Sequence, residues 1–227
     1  MTAMDMMTRR RAMMGESKNA IDNYVKNGIV FWLDGIENTK NGHDATSALW
    51  YDLSASQRNV SYNADSTIGA DFCIPNGKMT VTKDSSISSS YTIEVVCDYI
   101  DNGAAQLVMP WKANAYGTVW MSYSNNGAIY FSAGSSNGAK GVSVEQGIHT
   151  YAARGKSSIC IDGVAGTIVS SSTTLGTAYN YMFYYNTSYP RPCVSKIYAI
   201  RIYGRLLSDA EVTHNAAIDA LRFGRTS

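Results

Sequence analysis

Residues 28–203 form a succession of short apolar or alternating runs, each bounded by Gly, Asn, Asp or Ser. In residues 91–95, for example, Tyr91, Ile93 and Val95 share one face. Turn chemistry such as Asp162-Gly163 separates the runs. Because no long helical pattern lies between them, the sequence argues against a parallel βαβ sheet and predicts an all-β sandwich or barrel. The other predicted strands are residues 28–33, 79–82, 119–123, 128–133, 149–153, 157–161, 181–185 and 196–203.

Composition limits the size and the surface chemistry of this fold. A length of 227 residues suits a single β-sandwich, and 45% hydrophobic residues suffice for a core. Only 16% of residues are charged, so Ser, Thr, Asn, Gly and Tyr must supply much of the polar surface. The net charge of +1 gives no electrostatic footprint for nucleic acid. We expect no membrane span, since no apolar run is long enough, and no secretory signal.

The two ends of the chain differ from the body. Residues 1–27 are predicted to form an arm that is partly helical, with Ser17 as a cap, Ile21, Tyr24 and Val25 at helical spacing, and Asn27-Gly28 as the stop. Residues 28–227 are assigned to the sandwich. At the other end Ser208 and Glu211 fit a capping box. Val212, Ala216 and Leu221 are available for the apolar stripe of this helix, which Phe223-Gly224 ends.

The cysteines and histidines give no clear metal or catalytic signal. Cys73, Cys97, Cys160 and Cys193 are widely spaced, which favours buried thiols over disulfides or a zinc site. His43, His149 and His214 belong to no recognisable nucleophile or zinc motif. No metal or cofactor is therefore predicted. Calcium at the sandwich rim stays open, with Asp34, Asp52 and Asp162 as conceivable ligands that are at least as well explained as turn residues.

Three segments that occur in order indicate a particular β-sandwich. They are residues 28–38 with Trp50-Tyr51-Asp52-Leu53-Ser54 after them, residues 149–153 followed by Ile159-Cys160-Ile161-Asp162-Gly163, and residues 200–212, whose sequence is IRIYGRLLSDAEV. Together they resemble the concanavalin A-like (laminin-G-like) jelly roll, in which a strand leads into an R-x-Y-x-R-x-L-[ST]-x-x-E corner and a short helix. This implies an all-β sandwich with a partly helical N-terminal arm and a short C-terminal helix.

The same resemblance assigns roles around the corner motif. Ile200 and Ile202 are expected to point inward, with Arg201 and Tyr203 anchoring the corner from the other face. Leu206 and Leu207 are expected to pack where the chain leaves the sheet, and the helix to cover one end of the sandwich. The motif identifies a fold and says little about a ligand.

The arm has a resemblance of its own. A basic start followed by a laminin-G-like domain is similar to virion-associated proteins of gut bacteriophages and prophages. This implies a non-enzymatic virion structural protein, located in the virion after assembly in the host cytoplasm. The arm would dock to other capsid or tail proteins through Arg9, Arg10, Arg11, Met13 and Met14. The sandwich would decorate the particle or act as an adhesin for host surface glycan or protein, and a symmetric homo-oligomer such as a trimer would fit.

Two other functions compete with this interpretation. One is a free carbohydrate-binding lectin, for which the candidate ligand-facing aromatics are Trp111, Tyr116, Trp120, Tyr184 and Tyr189. The other is a divergent glycoside hydrolase, which needs two carboxylates across the scissile bond. Glu94 is the best candidate acid, but no second acidic residue follows at the spacing of the clan motif. We therefore expect Glu94 to be a solvent-facing strand residue and assign no catalytic residue.

Overall fold

The computed structural model describes residues 21–81, 90–104, 106–109, 118–122, 127–132, 139–155, 158–168, 170–172, 181–183 and 192–225. The docking residues Arg9, Arg10, Arg11, Met13 and Met14 lie outside this set, as do Ser17 and the aromatics Trp111, Tyr116, Tyr184 and Tyr189.

The described residues form short strands, one 3-10 turn and one α-helix. The 3-10 turn is Ile21–Asn23 and the helix, α1, is Asp209–Phe223. The strands are β1 Ile29–Asp34, β2 Leu49–Trp50, β3 Val60–Ser61, β4 Thr67–Ile68, β5 Cys73–Ile74, β6 Met79–Val81, β7 Thr92–Asp98, β8 Gln106–Met109, β9 Thr118–Ser122, β10 Ala128–Ser132, β11 Ala139–Ser143, β12 Ile148–Arg154, β13 Ser158–Ile161, β14 Val164–Ala165, β15 Ser170–Ser172, β16 Tyr181–Met182 and β17 Lys196–Tyr203.

The strands pair into three antiparallel sheets. The eight-stranded sheet has the order β14-β13-β12-β7-β17-β5-β4, with β1 also paired to β17. The five-stranded sheet has the order β15-β11-β10-β9-β8 and the four-stranded sheet the order β16-β6-β3-β2. A backbone hydrogen bond from Phe183 N to Val108 O joins the two smaller sheets. The predicted all-β sandwich with a C-terminal helix is therefore confirmed.

One hydrophobic core lies between the eight-stranded sheet and the two smaller ones. Ile93 and Val95 of β7 meet Ile129 of β10 and Trp50 of β2 in a single cluster of buried side chains. The Trp50 indole N–H also donates to the Asp34 carbonyl at 2.8 Å, so its polar atom is satisfied inside the core. Each large apolar side chain removed from water in this way contributes roughly 1.5–3 kcal/mol.

The C-terminal helix begins at the predicted capping box. Ser208 Oγ accepts from Glu211 N at 3.3 Å, and the Glu211 carboxylate accepts from Ser208 N at 2.8 Å. Arg205 donates to the same carboxylate at 2.6 Å, and with Ser208 it lowers the pKa of Glu211 to about 2. Gly224 ends the helix with a left-handed φ of 72°, as the Phe223-Gly224 stop predicts. Among the described residues, no helix combines the length and apolarity that a membrane crossing requires.

The position of α1 differs from the prediction. The helix covers the outer face of the eight-stranded sheet, where it packs on β12 and contacts side chains of β7 and β17, rather than closing an end of the sandwich. Its apolar stripe contains Val212 and Ala216, but Leu221 is 67% exposed because it lies on the solvent side. Leu207 is buried at the corner as expected, whereas Leu206 is 50% exposed, since adjacent residues in this extended segment point in opposite directions.

The described segment before β1, residues 21–28, is bonded to α1. Within the described residues, the helical pattern at Ile21, Tyr24 and Val25 is realised as the 3-10 turn, and the residues that follow the turn bond to the C-terminal helix. The Tyr24 hydroxyl donates to Asp219 at 2.7 Å, and Val25 N donates to Asn215 at 3.1 Å. The beginning of the described chain and its end therefore pack together.

All four cysteines are buried free thiols, so the prediction of thiols over disulfides is confirmed. They act as small apolar side chains, with Cys73, Cys97 and Cys193 in the main core. Burial raises the pKa of the Cys193 thiol to about 12, which disfavours the reactive thiolate.

Candidate ligand-binding groove

A buried charge network lies between the eight-stranded sheet and α1, and its centre is Arg201. The Arg201 side chain is fully buried and donates from Nε to Glu94 at 2.7 Å. Its Nη1 and Nη2 atoms donate to the two Asp219 oxygens at 2.8 and 2.5 Å. Burial opposes the charge of Arg201, but the two carboxylates outweigh it and raise its pKa well above the ordinary value.

The prediction that Glu94 faces solvent is wrong. Glu94 lies on the outer face of β7, but α1 covers that face, so the side chain has no exposed surface. Asn215 donates to both of its oxygens, at 3.2 and 3.1 Å, in addition to the ion pair with Arg201. Burial raises the pKa of Glu94, and Arg201 partly offsets this effect. A carboxylate enclosed in this way cannot reach a polysaccharide. Because Glu94 and Arg201 lie on the sheet while Asn215 and Asp219 lie on α1, the network binds the helix to the sheet.

A groove of about 340 Å³ opens at the β14 edge of the eight-stranded sheet. It forms where the residues that follow β11 meet the β13–β14 hairpin. Its lining combines hydroxyl, carboxylate and apolar groups, and the residues are Ser143, Glu145, Ile161, Asp162, Val164, Ala165, Gly166 and Thr167. Val164 is 71% exposed, which makes it the most exposed large apolar side chain among the described residues. The groove therefore offers polar partners beside an accessible apolar surface.

Asp162 supplies a carboxylate that the protein holds rigidly. It stands in the tight turn of the β13–β14 hairpin, with a left-handed φ of 54°, as the Asp-Gly pair predicts. Its Oδ1 accepts from Thr150 N at 2.9 Å and also from the Arg225 guanidinium. Its Oδ2 lies 2.7 Å from His149 Nδ1. These three partners fix the orientation of the carboxylate.

Glu145 supplies a second carboxylate in a different environment. Its side chain is 55% exposed, and among the described residues His149 Nδ1 lies 3.8 Å from its carboxylate. Its backbone N–H donates to the Tyr151 hydroxyl at 3.0 Å, which anchors the loop while the carboxylate projects into the groove. Glu145 therefore retains acceptor capacity that a ligand can use.

The three aspartates considered as conceivable calcium ligands are engaged by protein partners. Asp34 accepts from Ile36 N, Glu37 N and the Arg222 guanidinium, and Asp52 accepts from the backbones of Trp32, Ser54 and Arg58. Asp162 is the only one of the three that lines the groove. Within the part of the chain that the structure describes, no group of three or more His, Cys, Asp or Glu side chains is arranged to hold a metal ion.

One of the five predicted ligand-facing aromatics, Trp120, lies among the described residues. Trp120 lies in β9, where its backbone is paired in register with Tyr130 of β10, and Tyr130 is buried. The other four aromatics lie outside the described residues, so the aromatic surface stays a prediction.

The groove residues Ser143, Glu145, Val164 and Thr167 were not singled out from the sequence. They come from two segments, residues 143–145 and 161–167, which β12 separates in the sequence. The local sequence of each segment is typical of an ordinary strand end or turn. The one available signal was Asp162-Gly163, which predicts the hairpin but not the loop packed beside it.

No protein-family model matches the sequence, and no curated protein matches it. Solved structures do match. A Trypanosoma rangeli sialidase in complex with sialic acid has a TM-score of 0.56 and 12% identity, over 96% of this chain and 39% of the sialidase. The binding domain of botulinum neurotoxin serotype D has a TM-score of 0.58 and 11% identity, over 85% of this chain and 52% of that one.

Botulinum neurotoxin type C, whose cell entry depends on interaction with two ganglioside molecules, gives a TM-score of 0.56 at 15% identity, over 87% of this chain and 52% of that one. The chain thus spans about two fifths to one half of the proteins it resembles. At these identities the likeness concerns the fold alone, and it shows that the chain is a β-sandwich of the kind present in these sialidase and neurotoxin chains.

Proposed function

We propose that this chain is a non-enzymatic carbohydrate-binding module whose ligand occupies the groove at the β14 edge. The observation that carries the proposal is the groove itself, with the carboxylates of Glu145 and Asp162 and the hydroxyl of Thr167 beside the exposed side chain of Val164. Carboxylates accept hydrogen bonds from sugar hydroxyls, and hydroxyl side chains both donate and accept. An apolar side chain can pack on the C–H surface of a sugar ring.

The comparisons support the same class of ligand. The sialidase structure contains sialic acid, and the type C neurotoxin interacts with gangliosides. Two of the similar proteins therefore bind a sugar or a sugar-bearing lipid. Catalysis has less support in this chain. Glu94 is enclosed beneath α1, and Asp162 is engaged by three protein groups, so neither is free to act as a glycosidase acid or nucleophile.

Val164→Trp is expected to abolish glycan binding or weaken it more than about tenfold, because the indole ring would fill the groove. Val164 is exposed on an edge strand, where an aromatic residue is well tolerated. Leu221→Trp is the matched control, since Leu221 is 67% exposed but lies on α1. The measurement is binding of the full chain and of both variants to a glycan array, together with a sialoside-hydrolysis assay that is expected to show no turnover.

Equal loss of binding in both variants, or undiminished binding by Val164→Trp, would place the ligand elsewhere. Release of sialic acid that depends on Glu145 or Asp162 would replace the proposal with an enzymatic function.

The finer proposal is that the module belongs to a bacteriophage virion and that the N-terminal arm attaches it to the particle. One structural observation favours this arrangement. Tyr24 and Val25 bind one flank of α1. On the other flank, Thr213 of the helix and Arg225, which follows the helix, contact the β13–β14 hairpin. The described end of the segment that follows the arm therefore lies on the flank of α1 opposite to the groove.

Removal of residues 1–15 is expected to abolish incorporation of the chain into the particle while leaving glycan binding unchanged. The arm supplies the docking residues Arg9, Arg10, Arg11, Met13 and Met14, and the groove lies on the far flank of α1. Quantitative immunoblotting of purified particles measures incorporation. Unchanged incorporation would show that the arm does not dock the protein.

A further inference from the structure

The charges around the groove are unevenly balanced. Asp162 is neutralised by Arg225, which contacts it directly. Among the described residues, the one ion-pair contact of Glu145 is the 3.8 Å approach to His149. Neither Lys nor Arg occurs among the described residues that line the groove. Among the described lining residues, the exposed charge of the groove is therefore the negative charge of Glu145.

The histidine beside the groove does not offset this charge for a ligand. His149 is not one of the lining residues, and its ring nitrogens are directed elsewhere. Nδ1 lies 2.7 Å from Asp162 Oδ2, and Nε2 lies 2.9 Å from the Gln146 carbonyl. An anionic ligand in the groove would thus meet the Glu145 carboxylate and find no free cation among the described lining residues.

We infer that the groove selects neutral sugars and rejects acidic ones, and that Glu145 is the residue that determines this selectivity. The inference rests on the proposed function and adds the class of ligand to it. It also separates this chain from the similar sialidase, whose bound ligand is the acidic sugar sialic acid. A neutral sugar can donate hydroxyl groups to Glu145, whereas a sugar carboxylate would be repelled at close range.

The test uses matched glycans that differ only in charge. Oligosaccharides that end in glucose or galactose are compared with the same oligosaccharides ending in the corresponding uronic acid, in which a carboxylate replaces the hydroxymethyl group. The full chain is measured with both forms at the same pH and the same salt concentration. We expect the neutral forms to bind at least about fivefold more tightly, since one like-charge contact at the surface is worth that much.

Two variants locate the origin of the preference. Glu145→Gln keeps the shape of the side chain and removes its charge, and it is expected to bring the two forms to within about twofold of each other. Asp65→Asn is the matched control, because Asp65 is exposed and precedes β4, at the opposite edge of the eight-stranded sheet. This variant is expected to keep the wild-type ratio.

The possible failures differ from one another. If the uronic acid forms bind as well as the neutral forms and Val164→Trp abolishes both, the selectivity is wrong but the groove still binds sugar. If the neutral preference persists in Glu145→Gln, the role of Glu145 is wrong. If no glycan of either class binds, the proposed function fails and the inference fails with it.

Discussion

Arg201→Met is expected to lower the free energy of unfolding by about 4 kcal/mol, the typical cost of removing one partner from a buried ion pair. The substitution preserves much of the side-chain volume but leaves Glu94 and Asp219 without their counter-charge beneath α1. It also removes the guanidinium that stacks 4.4 Å from the centre of the Tyr24 ring. Chemical denaturation followed by circular dichroism measures the effect.

Lys26→Met is the control for this prediction, because Lys26 forms an exposed i,i+4 pair with Asp22. Exposed pairs of this kind contribute about 0.5 kcal/mol or less. An Arg201→Met protein that does not show the circular dichroism spectrum of the folded wild type would also agree with the expected loss of stability. A loss of less than about 1 kcal/mol would show that the network is not formed in the folded protein.

Gly35→Ala is expected to cost about 2–3 kcal/mol, because the added methyl group has no space. Its Cβ would lie 2.2 Å from the Asp71 carbonyl oxygen and 2.8 Å from Phe72 N. These are backbone atoms that lead directly into β5, and Gly35 N is itself bonded to Tyr198 O at 2.7 Å. The residues that follow β1 and those that precede β5 therefore cannot move apart without breaking hydrogen bonds of the sheet.

Gly77→Ala is the matched control, since its Cβ would meet the side chain of Asn63 at an ordinary contact distance of 3.5 Å. Its stability is expected to change by less than about 0.5 kcal/mol. Thermal unfolding of both variants under the same conditions measures the difference. Equal melting temperatures would contradict the close approach of Gly35 to the backbone of Asp71.

Much of the fold could be predicted because its determinants are local. The run 196–203 coincides with β17, since alternating side chains define a strand without knowledge of its neighbours. The capping box at Ser208 and the stop at Gly224 are equally local. What covers each face is not local. Alternation places Glu94 and Ile93 on opposite faces of β7, but it does not reveal that α1 buries the outer face as well.

The candidate groove could not be predicted, because two segments distant in sequence form it. Glu145 follows β11, while Val164 belongs to the β13–β14 hairpin. The pairing of β12 with β13 and the packing of β11 against β13 bring the two segments together. Neither segment contains a motif with a chemical meaning of its own. The arm and the aromatic residues Trp111, Tyr116, Trp120, Tyr184 and Tyr189 stay predictions.

The contact between Tyr24 and Asp219 limits how early the first described segment can fold onto the C-terminal helix. The two residues are 195 positions apart, so during synthesis Tyr24 leaves the ribosome long before its partner exists. The same delay applies to Glu94, whose counter-charge Arg201 follows 107 residues later. Because contacts between residues so far apart close slowly, docking of the first segment onto the last helix is expected to be a late event in folding.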